Sequence, residues 1–195
     1  MRLFLDTTFG VSVGLLNSSF EWVEYKFLEN KKSSSVIHSL ILEILMKNNL
    51  EVKDVKSLFY VAGPGSYTGM RVSQGIVDIF DWQNFEVFSF YHFDVPRLLG
   101  MKKGIWIGDA FKGEVFVHRW EDGKEEQKLY KKNDFELPVD IPLFLLQNPD
   151  EKDCKETQKL IKDNAKDLFK IIEKEKMKKE LFYYRTIDME FSRSK

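Results

Sequence analysis

Between Trp22 and Leu28 the chain alternates, with Val23, Tyr25 and Phe27 on one side and Trp22, Glu24, Lys26 and Leu28 on the other. A period of two marks a half-buried strand. Two apolar runs precede it, residues 3–5 and 11–16, separated by Asp6-Thr7-Thr8 and Gly10. The pattern therefore predicts a three-stranded meander. Over residues 33–49 the period becomes helical. Val36, Ile37, Leu40, Ile41, Ile44 and Leu45 form one broad stripe suited to a sheet, while Leu42 and Met46 fall on the other side, beside Ser35 and Ser39. A helix apolar on two sides is either buried on both or faces a partner.

Residues 58–62 form an apolar strand-like run, and residues 69–82 are helical again. Val72, Ile76, Ile79 and Phe80 share one face there; Arg71, Gln74, Asp78 and Asp81 share the opposite one. Gly75 costs helix stability, which points to a close packing contact. With a further strand at 85–90, the first half reads β-β-β-α-β-α-β. The second half echoes it. Residues 104–109 are a strand ending in Asp109, the turn runs to Gly113, and residues 114–120 return as a strand. Strand, Asp, turn, Gly, strand, twice, predicts a duplicated lobe. Residues 121–132 are charged and read as a solvated hairpin or loop, and 143–146 as a buried strand. Residues 155–180 carry a helical stripe that Asn164 divides in two, 181–185 read as a final strand-like segment, and 191–195 as a frayed tail.

Composition narrows the class. The chain has 195 residues, 43% of them hydrophobic, and a formal net charge of −1, which lacks the basic excess of a nucleic-acid-binding protein. The 17 phenylalanines serve a core or an interface. A single cysteine, Cys154, forbids an intrachain disulfide and favours a reducing compartment. The first five residues are too short an apolar run for a leader, and residues 36–46 are interrupted by His38, Ser39 and Glu43. The sequence predicts a soluble, cytoplasmic protein with no membrane association.

The densest punctuation is Gly63-Pro64-Gly65-Ser66-Tyr67-Thr68-Gly69-Met70-Arg71. Ser66 and Thr68 are each suited to cap the following helix, and such a turn presents amides to an anion. It lacks the lysine of a Walker loop, and Thr68 stands where a dinucleotide turn has its third glycine. A capped strand-to-helix turn without a ligand is the simpler reading. His38, His92 and His118 are scattered, without metal-ligand spacing. Cys154 sits among charges, a poor setting for a nucleophile, and Ser66 is not in a hydrolase elbow. Asp6 and Asp109, each ending a strand before a hairpin, resemble the phosphate-grasping turns of the actin, heat-shock chaperone and sugar-kinase superfamily. That superfamily's adenosine pocket uses late glycine pairs, and this chain has no glycine after Gly123.

The nine-residue turn resembles the signature of the bacterial TsaB (YeaZ) family. Asp6-Thr7-Thr8 is similar to that family's opening Asp-Thr-Ser, and Ser12-Val13-Gly14-Leu15-Leu16 to its second strand. His38-Ser39 matches its His-Ser-Glu, with Leu40 in place of the glutamate. Asp109-Ala110-Phe111-Lys112-Gly113-Glu114-Val115-Phe116 is similar to its Asp-Ala-Arg-Arg-Gly-Glu-Val-Tyr. Tyr183-Tyr184-Arg185 resembles its closing Pro-x-Tyr-x-Arg, with Leu181 for the proline. The resemblance implies an α/β, actin-like (ribonuclease H-like) duplicated fold, with an N-terminal lobe at 1–100 and a shortened C-terminal lobe at 101–195. It implies a non-catalytic partner of TsaD, the transferase that makes threonylcarbamoyladenosine in tRNA, joined by the ATPase TsaE. This subunit alone would hold no cofactor, with nucleotide and tRNA met only in the complex and a homodimer formed in isolation. Ser35, His38, Ser39, Leu42, Met46, Arg71 and Gln74 are the expected partner face, burial within the monomer being the alternative. Gly63 to Gly69 are the signature turn, and Asp6, Thr7, Thr8, Asp109 and Gly113 are vestigial phosphate hairpins. The rival is an ATP-dependent phosphotransferase using Asp6 and Asp109; a metalloprotease-like enzyme lacks ligands.

Overall fold

A computed structural model describes residues 1–29, 33–110, 112–136, 140–146 and 154–184. The first lobe is built on β1 (Arg2–Asp6), β2 (Val11–Leu16), β3 (Trp22–Leu28), α1 (Ser33–Lys47), β4 (Ser57–Val61), α2 (Tyr67–Trp82) and β5 (Glu86–Phe90). The predicted order is present, element for element. A short connecting helix, α3 (Val95–Leu98), leads to β6 (Lys103–Ala110), β7 (Glu114–Glu121), β8 (Lys124–Lys131), β9 (Leu143–Leu145), β10 (Cys154–Glu156), α4 (Thr157–Asp163) and α5 (Ala165–Lys174).

The first sheet has the order β3-β2-β1-β4-β5 and the second β10-β9-β6-β7-β8. In both, the first three strands pair antiparallel, and the fourth and fifth add in parallel on the other side of the first. Two sheets with one topology make this a duplicated actin-like fold, as expected. The lobes differ in their helices. Between β8 and β9, and between β9 and β10, the described residues contain no α-helix. One face of the second sheet, Ile105, Ile107, Val115 and Val117 with Tyr130 of β8, is covered instead by Phe135 and Ile141.

Sequence alternation decides which side of the first sheet each residue covers. Leu3, Leu5, Val13, Leu15 and Leu58 face α1 and α2, meeting Ile37, Ile44, Val77 and Phe80. Phe4, Phe59, Phe88 and Phe90 face the opposite way and receive α5 through Leu168, Phe169 and Ile172. The Phe169 ring lies 5.0 Å from Phe59 and 5.4 Å from Phe4, distances at which aromatic pairs gain beyond simple burial. These phenylalanines thus belong to the core. Asn164 does part α4 from α5. α5 leaves the second lobe and packs on the first, a crossing reinforced by Arg2, whose guanidinium meets both carboxylate oxygens of Glu173 at 3.1 and 3.2 Å.

Of the two readings of residues 121–132, hairpin or loop, the hairpin holds: they contain a full edge strand, β8, paired antiparallel with β7 over its whole length. Three expectations are corrected. Ile79 does not share the buried face of α2. That face is centred on Ser73 and Val77, with Met70, Ile76 and Phe80 around them, which leaves Ile79 51% exposed. A side chain added at Gly75 would meet nothing within 4 Å, so this glycine makes no packing contact inside the chain. The expected strand at 181–185 is, over 181–184, an extended strap without strand pairing; Arg185 and the tail at 191–195 lie outside the described residues, as does Phe111. The strap crosses from one lobe to the other. Phe182 N donates to Ala62 O at 2.8 Å, and Phe182 and Tyr184 pack on Phe116 of the second sheet.

Candidate functional site

Two surfaces carry the sequence-predicted residues. The first is the joint between the β1–β2 hairpin and the signature turn. Ser66 caps α2, its Oγ accepting from Gly69 N at 3.2 Å, while exposed Thr68 sits inside the first turn. Ser66 N donates to Thr8 O at 2.8 Å, and Thr7 Oγ1 donates to Gly69 O at 2.7 Å. Hairpin and turn therefore lie backbone against backbone. A Cβ on Gly69 would stand 2.0 Å from Thr7 O, and one on Gly65 2.5 Å from Thr8 Cβ. Gly63 has φ +119°, a conformation that suits glycine, and its Cβ would stand 2.7 Å from Phe182 O. The Gly63–Pro64 peptide is cis, and Pro64 is buried. Tyr67, 39% exposed, stacks on Tyr183 of the strap at 5.1 Å. The glycines of this turn are thus accounted for by contacts within the chain.

The two aspartates have different surroundings. Asp6 is buried, 1% exposed. Its Oδ1 accepts from Thr8 N at 2.9 Å and Thr8 Oγ1 at 2.6 Å; its Oδ2 lies 3.2 Å from His92 Nε2 and 3.5 Å from Gln158 Nε2. Burial alone would push this carboxyl up, but the charge and hydrogen bond of His92 and the two bonds from Thr8 outweigh it and hold it below the usual carboxylate value. Asp109 is exposed and pairs with Lys132 at 3.1 Å. Gly113 has φ +73°, and a Cβ added there would meet nothing within 4 Å. One hairpin is sealed by protein groups and the other stands open. No group of three or more His, Cys, Asp or Glu among the described residues is placed to hold a metal. Sequence reasoning missed His92 and Gln158, which are distant from Asp6 in the chain and meet it only in the fold, and Thr157, which meets His92.

The second surface is the outward side of α1 and α2, which contact each other on one face of the first sheet. Ser35, His38, Ser39, Leu42 and Met46 are all exposed along α1, Leu42 by 53% and Met46 by 72%. On α2, Gly75, Ile79 and Trp82 lie at i, i+4 and i+7, so they share a face; Trp82 is 82% exposed. Gly75, Ile79 and Trp82 are absent from the expected partner face; centring the helical stripe on Ser73 would have found them. Arg71, four residues before Gly75 and so on the same face, is exposed, its guanidinium lying 5.7 and 5.5 Å from the rings of Tyr67 and Tyr183. Gln74 is tied within the chain, accepting from Tyr60 Oη and donating to Asp78. No helix among the described residues is long and apolar enough to cross a membrane.

No protein-family model matches the chain, and no curated protein matches its sequence. Solved structures do match its fold. YeaZ from Pseudomonas aeruginosa aligns with a TM-score of 0.54 at 18% identity, over 74% of this chain and 75% of that one. An uncharacterized protein from the same organism, described as similar to peptidase YEAZ, aligns over the same shares with a TM-score of 0.54 at 17% identity. This chain shares with YeaZ the duplicated actin-like fold, through three quarters of the length of each.

Proposed function

We propose that this chain is a non-catalytic docking subunit of the TsaB type, which binds a TsaD-like transferase in the cytoplasm and supports threonylcarbamoyladenosine formation in tRNA. The observation that carries this function is the outward side of α1 and α2, where Leu42, Met46, Ile79 and Trp82 are each more than half exposed. Apolar side chains exposed together, beside a glycine that lets another backbone come close, are what a partner helix needs. Trp82 is the natural anchor, since buried tryptophans dominate interface energies. Nucleotide, tRNA and a TsaE-like ATPase would be met through the complex, and the same face would serve a homodimer when the transferase is missing.

The phosphotransferase alternative needs Asp6 within reach of a nucleotide. Its carboxylate is engaged by Thr8, His92 and Gln158 and closed off from solvent, which favours docking over phosphoryl transfer. Two measurements separate the functions. Size-exclusion chromatography of this chain mixed with the TsaD-like protein of its own organism should give one co-eluting complex. Isothermal titration of the lone chain with Mg-ATP should give no binding; micromolar binding with turnover would replace docking with the phosphotransferase.

A further inference from the structure

The densest cluster of buried polar side chains lies where the two lobes meet, and partner docking makes no use of it. Asp6 and Thr8 come from the first hairpin, His92 from the segment between β5 and α3, and Thr157 and Gln158 from the first turn of α4. All five are buried, His92 and Thr157 completely. Thr157 Oγ1 lies 3.0 Å from Leu145 O and 3.3 Å from His92 Nδ1, which ties α4 to the ring. Thr8 Oγ1 gives its hydrogen to Asp6 Oδ1, so its 2.8 Å contact with His92 Nε2 requires that nitrogen to donate, as does the 3.2 Å approach of Nε2 to Asp6 Oδ2. A second bridge runs beside the first, Gln158 Nε2 donating to Phe9 O at 3.2 Å and reaching Asp6 Oδ2 at 3.5 Å.

We infer that this cluster is an interlobe latch: a buried histidine–carboxylate pair, His92 with Asp6, continued to Thr157 and doubled by Gln158, fixes the angle between the two lobes. The surrounding charges leave the pair intact. Asp94, in the same segment as His92, is occupied by Arg97 at 2.9 Å. Tyr25 of β3, which feels the charge of Asp6, is kept neutral by its own burial. The described residues that α4, β6 and β9 bring to the cluster are Thr157, Gln158, Trp106 and Leu145, none of them charged. A buried pair of this kind is costly to break from one side, because the remaining charge has no water to turn to. His92 and Gln158 are therefore positioning residues, and the interlobe cleft stays shut. The latch does not depend on the docking function.

Amide hydrogen exchange of the full chain tests it. Gln158→Leu keeps the side-chain volume and removes the second bridge; exchange in the hairpin at 7–10 and in the first turn of α4 should rise tenfold or more, with β4 unchanged. His92→Gln, which keeps a single amide donor group, should loosen the same two segments. Exchange that rises equally across the chain, or not at all, would overturn the latch.

Discussion

Two glycines of the same helix should respond to alanine in opposite directions. Gly69 is buried where α2 meets the first hairpin, and a Cβ there would stand 2.0 Å from Thr7 O. Contacts closer than 3.0 Å do not persist, so hairpin and helix must part by about 1 Å. That motion stretches Thr7 Oγ1→Gly69 O and Ser66 N→Thr8 O, now 2.7 and 2.8 Å. Overpacking costs about 1–3 kcal/mol and one damaged buried hydrogen bond about 1–3 kcal/mol, offset by up to about 1 kcal/mol of helix propensity. Gly69→Ala should therefore destabilise by about 2–4 kcal/mol, which lowers Tm by roughly 5–15 °C in a chain of this size. Gly75 is exposed, in mid-helix, with nothing within 4 Å of an added Cβ. There only the propensity gain remains, and Gly75→Ala should raise Tm by about 2–4 °C. Thermal unfolding followed by circular dichroism reads both. A Gly69→Ala chain as stable as the original, or a Gly75→Ala chain that is less stable, would refute the assignment of one glycine to packing and the other to solvent.

Two further predictions concern acid. His118 is fully buried with neither ring nitrogen hydrogen-bonded, and burial holds its pKa below the usual 6.5 against the pull of Glu125. Below pH 6.5 the unfolded chain gains this proton before the folded one, so stability falls as pH drops from there. His118→Phe, with the ring of Phe93 stacked 4.6 Å away, should match or exceed the original stability at pH 7 and lose less of it by pH 5, as urea unfolding at both pH values will read. Asp6, with its carboxyl lowered from 3.8 by His92 and Thr8 against its own burial, contributes stability that is complete above the unfolded value and lost as pH falls through the lower folded one. The stability gap between the original chain and Asp6→Asn should be full above about pH 5 and shrink below pH 3.8; a gap independent of pH would contradict the lowered carboxyl.

The first lobe was legible because its alternation and its helical stripes are written in apolar residues, which burial forces into register. β8 was legible only as a choice between hairpin and loop, since Lys-Glu-Glu-Gln-Lys alternates in nothing hydrophobic and an edge strand protected by charge reads like a loop. The stripe of α2 was placed one step aside because its centre is Ser73, a polar residue buried through its bond to Thr7. The stripe of α5 was visible in Leu168, Phe169 and Ile172, yet amphipathicity does not say which sheet a helix will cover. Asp6 stood out in the sequence as a strand-ending carboxylate. Its closure by His92 and Gln158 depends on how the two lobes meet, which no local pattern encodes.

The docking claim is tested most directly on the face it names. Trp82→Glu and Met46→Glu alter side chains that are 82% and 72% exposed, so neither should change Tm by more than about 2 °C. Light scattering coupled to size exclusion, with the TsaD-like protein of the same organism, should show a heterodimer with the original chain and its loss with either variant. A complex that forms equally well with both variants would contradict the account.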